Sequence, residues 1–532
     1  MSRFVRASKY RHVFGQPSKK EAGIENVKVT NSAWDTNVIS ASGQYISLNW
    51  NASGGGAFAI LPLPSPFQTI PGFPHKLPDS LPLARSHTAP VLDTDWSPHN
   101  DSLVASGGED GKIMIWKVEP SAFEGWGRDA WVPNDFDPVW RVDGSPRKIG
   151  QVLFHPTASN VLASASGEHT VKLWDLAQTE SPRSVLTGHL DAIQSMSFNS
   201  TGTLLATTCR DRKLRLFDPR AGGEAVSVAD GHGGIKGARV VWMGESDRLA
   251  TTGFSKMSER QVGLWDVVGG LKIMKMTSVD HSAGVLMPFW SDNGILFLAG
   301  KGDGNIRYFE YLSESDTLAA LDEYKSIEPQ RGMCFLPRRA LNVSENEIAR
   351  AYKISGSYIE PIAFIVPRKG DFFKSDIFPP ALSIEPSLDA AEFFKGKTAP
   401  RNLVSLDSGK TFASSAPPPF TPTTVPAPVK QPSISISPPT SKPPAMPSPV
   451  TKSSSAPPPQ AQAAPEPVQA VATPTRSLSG DDNQIATLRQ ENAQLKAELR
   501  EARELIRNLE LQIEAQKANA RKAAQALMEA SN

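Results

Sequence analysis

Cysteine is scarce in this chain: 532 residues carry two, Cys209 and Cys334. Two thiols cannot make the disulfide framework of a small secreted domain, and both lie in apolar runs where buried free cysteine is usual. Neither sign of charge is in excess. The 56 Lys and Arg against 55 Asp and Glu leave a formal net charge of +1. No nucleic-acid partner is therefore predicted, and any charge-driven contact must come from a local patch. No stretch approaches the roughly 18 apolar residues of a membrane span. The opening MSRFVRASKYRHVFG also lacks the apolar core of a signal peptide. A cytoplasmic protein without a transmembrane segment is the expectation. His-x-His, Cys-x-x-Cys and paired-His spacings are missing as well, so neither a metal nor a cofactor is predicted.

What is present is a repeating unit. Gly188–Asp218 reads as short strands between turns: Ala192–Asn199 alternates, Ser200-Thr201-Gly202 turns, Leu204–Cys209 is apolar, and Lys213–Phe217 alternates again. Gly-His opens it, Asp211 stands six residues before Phe217, and an aromatic-Asp pair closes it. That pattern is the signature of a WD repeat, one blade of a β-propeller. One blade cannot bury its own faces, so copies are required. They are there. Asp110 and Trp116, Glu168 and Trp174, Glu259 and Trp265, and Asp303 and Phe309 keep the same offset. The closing aromatics at 116, 174, 217, 265 and 309 are 58, 43, 48 and 44 residues apart, near the roughly 40–45 expected per blade. The longer first interval holds Glu119–Ser145, read as an insertion at the rim between blades. Weaker units at Ser32–Leu63 and Gln330–Val366 bring the count to seven, and Phe4–Phe14 is read as the strand that closes the ring.

His87, Ser106, Asp110 and Trp116, and likewise His189, Thr207, Asp211 and Phe217, are expected to form buried hydrogen-bonded braces within blades. His, Thr and Asp could also be read as a catalytic set. The constellation recurs in several blades, whereas an active site occurs once, so it reads as structure and no enzyme is predicted. Gly54-Gly55-Gly56 lacks the Lys-Ser/Thr of a phosphate loop and reads as a hairpin turn.

The expected architecture is thus an all-β seven-bladed WD-repeat propeller over 1–369. An extension at 370–406, with Phe372-Phe373 and Phe393-Phe394, is expected to pack on it. Residues 407–480 form a linker; between Thr411 and Gly480 lie 19 of the 45 prolines, a composition that cannot bury a core and should be disordered. Residues 481–532 contain no Pro or Gly and read as a parallel coiled coil. Its core is Ile485, Leu488, Asn492, Leu495, Leu499, Ala502, Ile506, Leu509 and Ile513. Glu491 would face Lys496, and Glu498 would face Arg503, across a parallel pair, and Asn492 would fix register.

The run Lys9-Tyr10-Arg11-His12-Val13-Phe14-Gly15 and the run Asn51-Ala52-Ser53-Gly54-Gly55-Gly56-Ala57-Phe58 resemble the coronin family, short single-propeller type. So does the order propeller, extension, linker and coil. The resemblance spans roughly residues 1–406 and the last 50. It implies an actin-filament-binding and crosslinking adaptor in the cortical cytoskeleton, active in endocytosis and motility. It also implies regulation of the branched-actin nucleating complex through the coiled coil, self-association as a parallel homodimer or homotrimer, and microtubules as a further candidate partner. A basic residue shortly after the N-terminal motif is implicated in filament binding, and it matches Lys28 here, where Arg is usual; Lys19 and Lys20 would extend the patch. Leu505 stands where trimeric relatives carry Arg, which leaves dimer and trimer both open. The alternative is a general WD-repeat scaffold without direct actin binding.

Overall fold

Local pairing builds most of the fold, because each apolar run meets its successor across a short turn. A computed structural model describes residues 7–32, 36–53, 55–126, 131–178, 181–370 and 372–415. The linker beyond 415 and the coiled-coil residues Ile485, Leu488, Asn492, Leu495, Leu499, Ala502, Ile506, Leu509 and Ile513 lie outside the described residues.

Seven antiparallel sheets follow one another along the chain. Blade one comprises Ile39–Ala41, Tyr45–Trp50, Gly56–Pro62 and Leu83–His87. Blades two to six begin at Val91, Ile149, Ile193, Arg239 and Leu286, each with four strands. Each innermost strand packs on the next, and Gln330–Phe335 of blade seven packs back on Ile39–Ala41 of blade one. The chain is a seven-bladed β-propeller. Burial explains the sequence pattern of each strand. The second strands are covered on both faces, as at Val161–Ser166 where all six residues are buried, whereas the outer strand Lys272–Asp280 is mostly exposed.

Closure differs from the sequence reading. The strand that completes blade seven is Phe14–Pro17, paired antiparallel with Tyr358–Ile365 from Phe14 opposite Ile365 to Pro17 opposite Ile362. Phe4–Arg6 lie outside the described residues; Tyr10–Val13 turn instead, with Val13 N donating to Tyr10 O at 3.0 Å, and bury both side chains in the core between blades six and seven. Residues 119–126 and 131–145 do sit between blades: Phe123 packs on Tyr45 at 5.4 Å and Trp126 on Phe73 at 5.1 Å, and Leu83 N donates to Asp135 at 2.9 Å, all on blade one. The stretch also supplies an element the sequence reading missed, since Pro138–Asp143 forms the outer strand of blade two against Lys112–Lys117.

The glycine run behaves as a hairpin connection between Tyr45–Trp50 and Gly56–Pro62. Gly56 is required by proximity, since a Cβ there would sit 1.8 Å from Ala89 O.

Residues after Val366 lie along the ring. Ile377 and Phe378 join the cluster of Tyr10, and Asn293 Nδ2 donates to Ile377 O at 2.6 Å. Leu388, Ala390 and Phe393 bury themselves against Ala158 and Val161 of blade three, and Phe393 lies tilted against His155 with ring centres 4.2 Å apart. Arg401 pairs with Glu245 at 2.9 Å and with Asp292 at 3.1 Å. These contacts all fall on connections between first and second strands, which strand alternation puts at one end of the ring. A small sheet of Ala381–Leu382, Asn402–Val404 and Thr411–Ala413 completes this strap.

Candidate functional site

Residues 18–32 and 36–38 link the closing strand to blade one, so they emerge at the end of the ring opposite the strap. Inward-facing Ala22, Ile24, Val27 and Val29 are buried, while Lys19, Lys20 and Lys28 are exposed. The backbone is stitched on both sides. Ile24 pairs with Ile359, Val27 N donates to Ser357 O at 3.0 Å, and Asn51 N donates to Lys28 O at 2.7 Å. Tyr358 Oη adds a bond to Lys20 O at 3.2 Å. The lysines therefore project from a fixed backbone rather than a loose tail.

Acids divide the basic cluster. Lys20 Nζ lies 3.0 Å from Glu25, whose hydrogen bond raises the Lys20 pKa and is in turn the main cause of the lowered Glu25 carboxyl. Lys28 Nζ is 3.6 Å from Asp79, and Lys19 has no carboxylate partner among the described residues. Such exposed pairs are weak and exchange readily for other partners. Lys76, which the sequence reading did not select, joins the site. It shares an open cleft of about 360 Å³ with Lys20, Asn26 and Tyr358. The long connection from Pro62 to Leu83 delivers it, with Glu25 N donating to His75 O at 2.7 Å and Leu77 N to Glu25 O at 3.0 Å. No local pattern in the sequence signals that approach.

The polar sets read as braces vary from blade to blade. Ser106 Oγ is 2.8 Å from His87 Nε2 and accepts from Trp116 Nε1 at 2.8 Å, and His87 Nδ1 is 3.0 Å from Asp110. Burial opposes ionisation of Asp110, but the His87 bond and charge with the Thr88 and Lys112 amides outweigh it and lower its pKa. His87 ends the outer strand of blade one, so this set spans two blades rather than lying inside one.

Around Thr207 the set is incomplete. His189 Nε2 is 2.9 Å from Thr207 Oγ1, but Asp211 bonds Arg215 at 2.6 Å and leaves His189 Nδ1 without a partner. Phe217 has no N–H to donate and instead lies 5.2 Å from the His189 ring. Burial again opposes ionisation of Asp211, yet the Arg215 bonds prevail and bring its pKa down to about 2; burial lowers His189 to about 4. Thr207 is wholly buried, so no substrate can reach its hydroxyl. In blade five the hydroxyl is Thr251, 2.9 Å from His232 Nε2 and 2.8 Å from Trp265 Nε1. Blade three keeps Trp174 Nε1 to Ser164 Oγ at 2.8 Å, and Glu168 accepts from Ser145 Oγ at 2.9 Å in place of a histidine.

Comparison with known proteins fits this geometry. A family model described as a domain of unknown function matches residues 3–67, the segment carrying the lysines. WD-domain models match 80–117, 136–175 and 180–218, and a further WD40 type matches 359–401. The coronin-like protein crn1 of Schizosaccharomyces pombe is 51% identical over 76% of this chain and 65% of its own length. The coronin-like protein of Saccharomyces cerevisiae is 49% identical over 74% of this chain and 60% of its own. The chain thus spans less than two thirds of these two relatives. Coronin-A of Dictyostelium discoideum is 42% identical over 78% of this chain and 89% of its own length. Among solved structures, the WD40 domain of Toxoplasma gondii coronin superposes with a TM-score of 0.67 at 29% identity, over 74% of this chain and 97% of that one. With a seven-bladed ring, a matching N-terminal segment and this level of identity to coronins from fungi and an amoeba, the chain belongs to the coronin family.

Proposed function

We propose that the protein is a non-enzymatic adaptor that binds and crosslinks actin filaments in the cortical cytoplasm. The observation that carries the reading is the backbone-stitched segment 18–30, with Lys19, Lys20 and Lys28 exposed in a chain of this family. Filamentous actin presents an acidic surface, and Lys28 can exchange Asp79 for a filament carboxylate at little cost because that pair is exposed. Lys supplies charge without the bidentate fork of Arg, so a single ring binds weakly. Self-association through 481–532 would turn weak contacts into avid ones and permit crosslinking. The same coil is the proposed contact for the branched-actin nucleating complex, and through it for roles in endocytosis and motility.

Co-sedimentation with filaments tests the reading. Lys28→Glu should weaken binding several-fold while the urea midpoint stays unchanged; undiminished affinity sinks the assignment of Lys28. Deleting Asp481–Asn532 should leave high-speed binding but abolish bundling at low speed, and persistent bundling refutes the avidity argument.

A further inference from the structure

A second charged surface lies on blades three to five, on connections and turns at the end of the ring that the strap leaves uncovered. Lys148, Arg210, Arg212, Lys236 and Lys256 are all exposed there, with no carboxylate partner among the described residues. Several acids at this end are already engaged: Glu168 with Lys172 at 3.2 Å, Asp211 with Arg215 at 2.6 Å, and Asp230 with Lys213 at 2.5 Å. Glu109, on the cavity wall, and Asp191 and Glu259 have no Lys or Arg partner among the described residues, and the unpaired cations outnumber them. The surface is therefore net positive in a chain whose total charge is +1.

Apolar side chains are set among these cations. Leu190 is 80% exposed, Ile235 83% and Met257 84%. Single exposed aliphatics need no explanation. Here three occupy neighbouring connections of consecutive blades, with Met257 next to Lys256 and Ile235 next to Lys236. Lys148, Arg210 and Ile235 also share the wall of a cavity of about 330 Å³ at the mouth of the ring axis, floored by Gly150, Gln151 and Arg239. Arg210, Arg212 and Lys236 also line a much smaller hollow of about 10 Å³. The Lys236 stem is held in place, its Nζ 4.8 Å from the centre of the Phe254 ring.

We propose that this surface docks an acidic segment of a partner protein that inserts one large apolar side chain into the axial cavity. Charge complementarity selects an acidic occupant, and the exposed Leu190, Ile235 and Met257 select one with apolar side chains between the acids. A nucleic acid would satisfy the cations and leave the aliphatics in water. A bilayer is flat and would leave the cavity empty. Ser32 and Thr36, just beyond segment 18–30, contribute to the cavity wall, but none of the five cations belongs to that segment, so the site does not depend on the filament-binding reading.

The probe is a short fluorescent peptide of Glu, Leu and Phe, titrated against the full-length protein by anisotropy. Saturable, salt-sensitive binding is expected. Lys148→Glu with Arg210→Glu, and separately Ile235→Ser, should each weaken it by about tenfold or more. Lys28→Glu should leave it unchanged. All these side chains are exposed, so the fold is not at stake. Equal binding of a peptide with Ser in place of Leu and Phe overturns the proposal. So does indifference to the Lys148/Arg210 reversal, or tighter binding of single-stranded RNA or phosphatidylserine vesicles through the same residues.

Discussion

Thr251 and Thr207 present the same hydroxyl, fully buried, in two blades of one ring, and differ in how many partners depend on it. Thr251 Oγ1 serves His232 at 2.9 Å and the indole N–H of Trp265 at 2.8 Å. Thr207 Oγ1 serves His189 at 2.9 Å, and the aromatic in the Trp position is Phe217. Thr→Val keeps the shape and removes the oxygen, so the histidine contribution is common to both variants. The difference is one stranded buried donor, the Trp265 N–H, which costs about 1–3 kcal/mol. Thr251→Val should therefore destabilise the propeller by about 1–3 kcal/mol more than Thr207→Val. Urea unfolding followed by tryptophan fluorescence measures this as a larger fall in midpoint at unchanged slope. Equal losses, or a larger loss at Thr207, would refute the idea that the hydroxyl is held by counting its buried partners.

Phe393→Ala should cost about 3–5 kcal/mol of strap binding, since the ring is fully buried against His155; faster proteolysis after Val366, with the blades intact, is the expected signature. Deleting residues 1–17 should leave Ile362–Ile365 as an open edge, read as concentration-dependent aggregation in light scattering. Burial holds His232 down at about 4, so in acid the unfolded state takes up the proton first. Its contribution to stability is intact above about pH 6.5 and is lost as pH falls toward 4, on the order of 3 kcal/mol in full. Asp95 has the opposite sign: burial lifts its carboxyl to about 7, so its protonated form favours the fold at low pH and the advantage disappears as pH rises through 7. Urea midpoints against pH should thus fall less steeply on the acid side for His232→Gln than for the parent. The gap between Asp95→Asn and the parent should widen from pH 5 to 8.

The repeat was legible because a blade writes itself locally. Alternation, a turn and an Asp six residues ahead of an aromatic are all within one unit, and register follows from the hairpins. Where a feature depends on a turn's length, the reading slipped. Ser106 and Thr207 stand four residues before Asp110 and Asp211; Ser255 holds that offset before Glu259, but it caps its own turn by accepting from Met257 N at 3.1 Å and Glu259 N at 3.1 Å. The longer turn moves the brace to Thr251. Tyr10 and Val13 looked like strand residues because both are apolar on one side, but a turn buries them equally well, and the pairing edge starts at Phe14. Trp140 and its neighbours alternate in burial through Pro138–Asp143 as an outer strand should. Their Pro- and Asp-rich surroundings hid the period. Lys76 was invisible for another reason: a connection of about twenty residues carries it back, and no local rule records where such a connection goes.

Closure of the ring and the proposed filament contact depend on the same few residues. Strand Tyr358–Ile365 pairs with Phe14–Pro17 along one half and with Ile24–Glu25 along the other, so one edge both completes blade seven and seats the lysine-bearing segment. Lys28 is fixed a few residues further on by Asn51 N, next to the glycine connection whose Gly56 allows Ala89 O to approach. The two motifs that carry the family resemblance, at 9–15 and 51–58, therefore lie on either side of the same seam. One supplies the clasp and the other receives the segment that follows it. A change in clasp pairing should then shift filament affinity without touching a lysine. The cations of blades three to five share no strand with that seam and reach it only through Ser32 and Thr36 of the cavity wall, so peptide binding there should change less than filament affinity does.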